Sequence, residues 1–220
     1  SMVAELVGLS FSIKKGEAYY VPVGENLDEA KELVAQFKSI FEDSEKEVIA
    51  QNLKYDLTVL KNYGVGLKGK FFDTMIAHYL LEPDQKHGMD ILAETYLSYK
   101  PQSIVELIGK KGKNQGSMRA VEVEKVVEYA GEDADITFQL KEVFDKLLGT
   151  DELRTLFDEV EMPLISVLAA MEYEGINLDC DNLAEFSKEL AISLIDLSKE
   201  ITDLATTEFN IDSPKQLGQV

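Results

Sequence analysis

The chain has 220 residues, enough for one large domain or for one domain with part of another. A hydrophobic content of 45% supports a sizeable core, and the single Cys180 excludes a disulfide framework or a cysteine-built zinc site. Lys and Arg number 22 against 41 Asp and Glu, a net charge of −19. Such a surface excludes a general duplex-DNA binder, whose affinity rests on basic groups displacing phosphate counterions. An acidic interaction module and a site that gathers carboxylates around metal ions both stay open.

No apolar run nears the roughly 20 residues of a membrane span, and no basic-then-apolar leader opens the chain. An intracellular protein without a membrane partner is therefore expected. Residues 5–13 (ELVGLSFSI) partly alternate and are rich in β-formers. They predict a strand, turned at Lys14-Lys15-Gly16 into a hairpin partner at 18–23 (AYYVPV). Pro22 puts that partner at an outer position of the sheet. Residues 28–41 place Leu33, Val34, Phe37, Ile40 and Phe41 at helical spacing. A short buried strand at 47–50 (EVIA) then precedes a helix over 53–63, which Gly64 and Gly66 end. Another short strand at 70–72 leads into a helix at 74–81, and 89–99 predicts a further helix.

Residues 101–117 read as a loop holding the basic run GKKGKNQG. A long helix over 121–148 uses Val123, Val127, Ile136, Leu140, Val143 and Phe144, and Gly149-Thr150 breaks it. Strands followed by helices and strands indicate an α/β layer fold over 1–149. From 150 to 220 the pattern is helical. Residues 151–173 are interrupted by Pro163, 176–178 are extended, and a helix spans 181–209. Its stripe of Leu183, Phe186, Leu190, Leu194, Leu197, Ile201 and Leu204 predicts helix packing. Ser213-Pro214-Lys215-Gln216 has the N-cap, first-turn proline and capping-box glutamine of a new helix.

Two segments carry chemistry. Gln51-Asn52-Leu53-Lys54-Tyr55-Asp56 follows directly on a buried strand, and Tyr129-Ala130-Gly131-Glu132-Asp133 lies within the long helix. Tyr129 and Asp133, four apart, share one helical face, where a carboxylate and a phenol can hold a metal ion and steer a water. Taken singly, each motif favours ordinary structure: Asp56 as a cap or solvated carboxylate, Tyr129 as a boundary aromatic. Order, separation and placement together carry the signal.

NLKYD followed by YAGEDAD resembles the second and third exonuclease motifs of bacterial family A DNA polymerases, in the tyrosine-containing subgroup of DEDD exonucleases. ELVGLSFSI, NYGVGLKGKFFDTM, GKKGKNQ and ITFQL are similar to the same 3′→5′ exonuclease domain. VEMPLISVLAAMEYEGINLD is similar to the start of the polymerase domain, and FNIDSPKQL to its thumb region. The resemblance implies a ribonuclease H-like α/β fold, a mixed sheet with flanking helices, over residues 1–149. The truncated helical beginning of the polymerase domain would follow over 150–220.

It further implies two divalent cations, Mg²⁺ or Mn²⁺, that clamp the scissile phosphate. Asp133 would bind the first ion directly and Asp56 would serve the second, while Tyr129 would orient the attacking water. Asn52, Tyr55 and Lys86 would lie near the terminal nucleotide. Lys110, Lys111 and Lys113 are candidates for contact with a single-stranded backbone. His78 reads as a packed helix histidine and His87 as a loop residue rather than as ligands.

The implied partners are a single-stranded 3′ end of DNA and the rest of a polymerase chain, in a bacterial cytoplasm close to the nucleoid. The Asp-x-Glu of the first motif has no counterpart in Ser1-Met2-Val3-Ala4. The chain is thus expected to be an internal piece lacking the first strand, with little exonuclease activity of its own and no polymerase activity. Its unpaired strand edges would favour rearrangement or strand-mediated self-association. The alternatives are a non-catalytic module of the same fold and a DEDD exoribonuclease.

Overall fold

The computed structural model describes residues 4–149 and 152–220. The expectations for Ser1-Met2-Val3, for the break at Thr150 and for a helix start at Asp151 lie outside them. Two compact units divide the chain, Ser1–Glu174 and Gly175–Val220. Among the described residues no helix is long and apolar enough to cross a membrane.

In the first unit β1 (Gly8–Lys14) and β2 (Glu17–Pro22) form the expected antiparallel hairpin, with Leu9 opposite Val21 and Phe11 opposite Tyr19. Gly16 supplies the left-handed turn residue at φ 78°. Helix α1 (Leu27–Ala35) starts on the Asn26 side chain, which accepts from Asp28 N at 3.0 Å and Glu29 N at 3.3 Å. The single helix expected over 28–41 is in fact two, α1 and α2 (Lys38–Phe41). Gln36 and Phe37 N–H groups donate to Leu33 and Val34 carbonyls, tightening the backbone there. That break brings the Phe37 and Phe41 rings to 5.3 and 5.9 Å from Phe11. Aromatic packing against the hairpin therefore overrides helix continuity.

Strand β3 (Glu47–Ala50) runs parallel to β4 (Lys70–Asp73), Val48 beside Phe71 and Ala50 beside Asp73. Gly69 is required at the entry to β4, since a Cβ there would come within 1.9 Å of the Lys46 carbonyl oxygen. Helix α3 (Leu53–Asn62) follows β3, and α4 (Thr74–Leu81) follows β4. Next, α5 (Met89–Leu92) widens into a π-type turn over Ala93–Leu97 and stops at Ser98, whose φ is 53°. The stretch expected to be loop at 101–117 contains a short helix, α6 (Ile104–Ile108), started by the Ser103 hydroxyl. None of its residues is buried, so it has no apolar stripe for the sequence to reveal.

Helix α7 (Val123–Leu147) packs against β1, β2 and β3. Ile136, Leu140 and Phe144 enter the core as expected, but Val123 and Val127 are exposed and Val126 is buried instead. This face of α7 docks on the hairpin, with Gly131 at ordinary contact distance from Ala18. The mixed sheet is split in two, an antiparallel pair β1-β2 and a parallel pair β3-β4. Among the described residues no strand joins them, and α7 spans both.

Helix α8 (Glu152–Leu156), a π-type turn at Phe157–Glu161 and α9 (Met162–Glu174) complete this unit. Pro163 sits in the first turn of α9, where its missing N–H costs nothing, and the wide turn before it absorbs the interruption. Phe157 is fully buried against Phe72, ring centroids 4.9 Å apart, within one core with Leu53, Leu92, Leu140 and Phe144. Helix α9 lies on α3, where Lys54 meets Glu172 at 2.5 Å and the Lys61 ammonium stands 3.8 Å from the Tyr173 ring centre.

The second unit holds α10 (Cys180–Ala205) and α11 (Pro214–Leu217). The expected packing stripe of α10, from Leu183 to Leu204, is exposed, because the four-residue α11 is too short to cover it. Ser213 caps α11 by accepting from Gln216 N at 3.4 Å. Gln216 does not close the expected capping box; its Oε1 accepts from Asn210 N at 2.8 Å instead.

Phe157, with Met162 and Ile165, fastens α8 and α9 to the core of the α/β layer, and it is the fully buried one of the three. Phe157→Ala should destabilise the first unit by about 3–5 kcal/mol in urea unfolding, the usual cost of a deleted core phenylalanine. A loss below about 1 kcal/mol would mean that this segment is only loosely attached.

Candidate functional site

The site begins where β3 ends. Asn52 takes the left-handed conformation, φ 64° and ψ 51°, which asparagine tolerates better than most residues, and the chain then turns directly into α3. The exposed N–H groups at that helix start are not capped locally. Asp73, at the end of β4 and 1% exposed, reaches across and accepts from Asn52 N at 3.2 Å and Leu53 N at 2.7 Å. The same carboxylate caps its own helix α4, accepting from Met75 N at 2.9 Å and Ile76 N at 3.3 Å. One buried side chain thus ends two strands and starts two helices. Burial pushes the Asp73 carboxyl upward, and its four N–H donors hold that rise back.

Asp56 lies in the first turn of α3 that Asp73 fixes. The residue is exposed, so ions can reach it, yet the protein packed around its carboxyl raises its pKa to about 7. The Asp73 charge adds to the same shift. Asn52 and Tyr55 are exposed at the same helix start.

The second half of the site lies on α7. Tyr129 and Asp133 lie one turn apart on one face of α7, both half-buried. Burial, reinforced by the neighbouring Asp133 carboxylate, raises the Tyr129 phenol far above its ordinary range. The phenol is therefore a proton donor at every working pH and never a base. Burial raises Asp133 to about 6, the nearby Tyr129 phenol restrains it, and the Glu132 charge adds to the rise.

The neighbouring acids are otherwise engaged. Glu132 accepts from Tyr99 Oη at 2.5 Å and Gln102 N at 2.8 Å, and Asp135 accepts from Gly16 N and Gln139 Nε2, each at 2.8 Å. Of the three acids in EDAD, Asp133 alone is left to face a ligand with its tyrosine.

Lys86 is exposed in the loop between α4 and α5. That loop is tied to the site, because Gln51 Nε2 donates to the His87 carbonyl at 2.7 Å and Gln51 Oε1 accepts from the Thr74 hydroxyl. Lys110, Lys111 and Lys113 are exposed between α6 and α7. His78 is buried on α4, as expected of a packed helix histidine. Gln51 stood in the first motif segment without a role, and Asp73 is the positioning residue that the motif reading missed. Asp73-Thr74 before an apolar helix does carry an N-cap signal, but nothing local reveals its reach to Asn52 and Leu53.

Among the described residues no group of three or more His, Cys, Asp or Glu side chains is arranged to hold a metal ion. Asp56 and Asp133 offer the hard oxygen ligands that Mg²⁺ or Mn²⁺ takes, but two carboxylates are an incomplete set for two ions.

A carboxylate and a phenol on one helix, and a carboxylate-bearing helix start at the end of a parallel strand pair, are the parts that the sequence resemblance assigns to a nuclease-type α/β domain. Comparison with known proteins is specific: residues 1–149 match the family model described as 3′-5′ exonuclease, that of the family A DNA polymerases. The chain belongs to this family.

Its similarity extends over nearly the whole length to proteins named DNA polymerase I. It is 38% identical to that of Borreliella burgdorferi over 99% of this chain and 24% of the relative. It is 38% identical to that of Pseudomonas aeruginosa over 99% and 25%, and 32% identical to that of Bacillus subtilis over 96% and 23%. The chain spans about a quarter of the length of these curated relatives. A solved structure described as the POL domain of Pol1 from M. smegmatis, in complex with DNA primer-template and dNTP, superimposes with a TM-score of 0.72. At 24% identity, over 92% of this chain and 31% of that one, it shares the fold.

The raised Asp56 value has a consequence for stability. An acid whose folded pKa exceeds its unfolded value costs nothing below about 3.9, and the cost grows with pH until the folded value is passed. Asp56→Asn should therefore raise Tm at pH 8, above its value of about 7, and leave Tm nearly unchanged at pH 4. Equal gains at both pH values in thermal melts would contradict this assignment.

Proposed function

We propose that the chain is the proofreading portion of a bacterial DNA polymerase I, a 3′→5′ exonuclease domain followed by the first helices of the polymerase domain. The proposed division falls at Gly149, with residues 150–220 belonging to the polymerase side. The observation that carries the reading is the pairing of Tyr129 and Asp133, one turn apart on one face of α7, in a domain whose helix start at Asn52 presents Asp56. The whole protein would make DNA on a template in replication and repair, in the bacterial cytoplasm near the nucleoid, and this domain would hydrolyse mispaired 3′ ends.

In this reading Asp133 and Asp56 are metal ligands, for Mg²⁺ or Mn²⁺, in a set completed by carboxylates that the described residues do not supply. Bound ions would stabilise charge on the phosphate and lower the pKa of an attacking water. The chain's own residues do the positioning. Tyr129, always protonated, donates a hydrogen bond and orients rather than deprotonates. Asn52 and the exposed Tyr55 offer a polar contact and a stacking face to a terminal nucleotide. Lys86 offers a cation for its phosphate. Asp133 gives up its proton near pH 6 and Asp56 near pH 7, so below those values cation binding releases protons, and it strengthens as pH rises through that range.

The net charge of −19 suits this division of labour, because a frayed single-stranded end needs no broad basic face. Affinity for duplex DNA would come from the rest of the polymerase chain. The open edges of β1 and β3 would make the 220-residue chain prone to strand-mediated self-association. The incomplete carboxylate set favours one second reading, a non-catalytic module that keeps the fold and lends only structure.

The discriminating measurement uses the full-length gene product and single-stranded DNA with Mg²⁺ or Mn²⁺. Removal of 3′ nucleotides is expected, with a loss of at least about 100-fold in Asp133→Ala. The 220-residue chain alone should be inactive. Equal rates for wild type and Asp133→Ala would discard the catalytic reading in favour of the module.

A further inference from the structure

His78 and His87 meet outside the carboxylate site. Their Nδ1 atoms lie 2.7 Å apart, and their rings are crossed edge-on at a centroid distance of 4.9 Å. His78 is 3% exposed on α4, enclosed by the rings of Tyr96 and Phe144, whereas His87 is half-buried in the loop between α4 and α5 with Tyr79 against it. At that separation the two nitrogens share one proton, one Nδ1–H donating and the other Nδ1 accepting.

The contact anchors the loop at one side, and the Gln51 bond to the His87 carbonyl anchors it at the other. Lys86 stands next to His87, and Gln51 precedes Asn52. We propose that the His78–His87 contact is a proton-operated latch that holds the Lys86 loop against the start of the NLKYD segment.

The proton count gives the latch its direction. The first added proton goes to an outward ring nitrogen and leaves an imidazolium donating to a neutral imidazole, so the contact survives. The second must occupy the shared position. Two N–H groups and two positive charges then face each other within a few Å, and the loop has to leave.

The surroundings oppose that second proton. Burial first, and the His87 charge second, hold His78 below its ordinary value, while the Glu82 carboxylate partly restores it. Tyr96 is the other titratable group against His78, and it too is raised by burial and by Glu82; Phe144 from α7 is apolar. Tyr79 faces His87, and Asp84 and Lys86 lie in the loop itself. A histidine whose folded pKa is depressed contributes stability above its unfolded value of about 6.5, lost as pH falls through the folded value. Release therefore comes on acidification, below about 6.5, and the closed loop is the neutral-pH form.

Amide hydrogen exchange of residues 82–88 in the 220-residue chain tests this. After correction for the intrinsic pH dependence, exchange should rise about 10-fold between pH 7.5 and 4.5 in the wild type and stay flat in His87→Gln, which can bond but not charge. A pH-independent wild type, or a variant that follows it, would overturn the latch. Should His87→Gln fail to fold, the imidazole nitrogen shifts of the wild type decide without any substitution. One ring still neutral where an isolated histidine is charged supports the latch, and two independent titrations near about 6.5 overturn it.

Discussion

A single buried carboxylate organises the nuclease half of this molecule. Asp73 ends β4 and turns its two oxygens toward four backbone N–H groups, two opening α3 and two opening α4. Helix starts leave such donors without partners, and burying them unpaired would be costly. One acceptor satisfies both helices, and in doing so fixes their spacing. The left-handed Asn52, the direction of α3 and the placement of Asp56 on its first turn all follow from that constraint. The charge that makes Asp73 a good acceptor also bears on Asp56, so the same residue sets the geometry of the site and part of its electrostatics.

The other half of the site depends on how α7 distributes its acids. Glu132 accepts two hydrogen bonds from the chain after Ser98, and Asp135 accepts one from the hairpin turn and one from Gln139 on α7 itself. These bonds fix the rotation and height of the helix between two sheets that are not bonded to each other. Asp133, flanked by these anchors, is left beside Tyr129 on the same face. The frame holds that carboxylate in place rather than consuming it as an anchor.

Much of this was legible in the sequence wherever local rules decide the outcome. The hairpin around Gly16, the two short strands β3 and β4, the two helix starts and the shared face of Tyr129 and Asp133 follow from alternation, turn residues and the four-residue period. The departures are tertiary. Phe37 leaves α1 to stack on Phe11, which no helical periodicity encodes. Val126 replaces Val123 and Val127 in the core because α7 docks on the hairpin as well as on β3, which helical periodicity alone does not encode. The reach of Asp73 to Leu53 and the meeting of His78 with His87 join residues far apart in the chain or across a loop. Neither pair shares a periodic face, so no windowed reading can find them.

The account rests on Asp73 joining two helix starts through one carboxylate, and amide exchange at Asn52, Leu53, Met75 and Ile76 tests that joint directly. In the wild type all four amides should be protected together, and in Asp73→Ala all four should lose protection together while the amides of β1 and β2 keep theirs. Free exchange at Asn52 and Leu53 in the wild type, or protection there that survives Asp73→Ala, would contradict it.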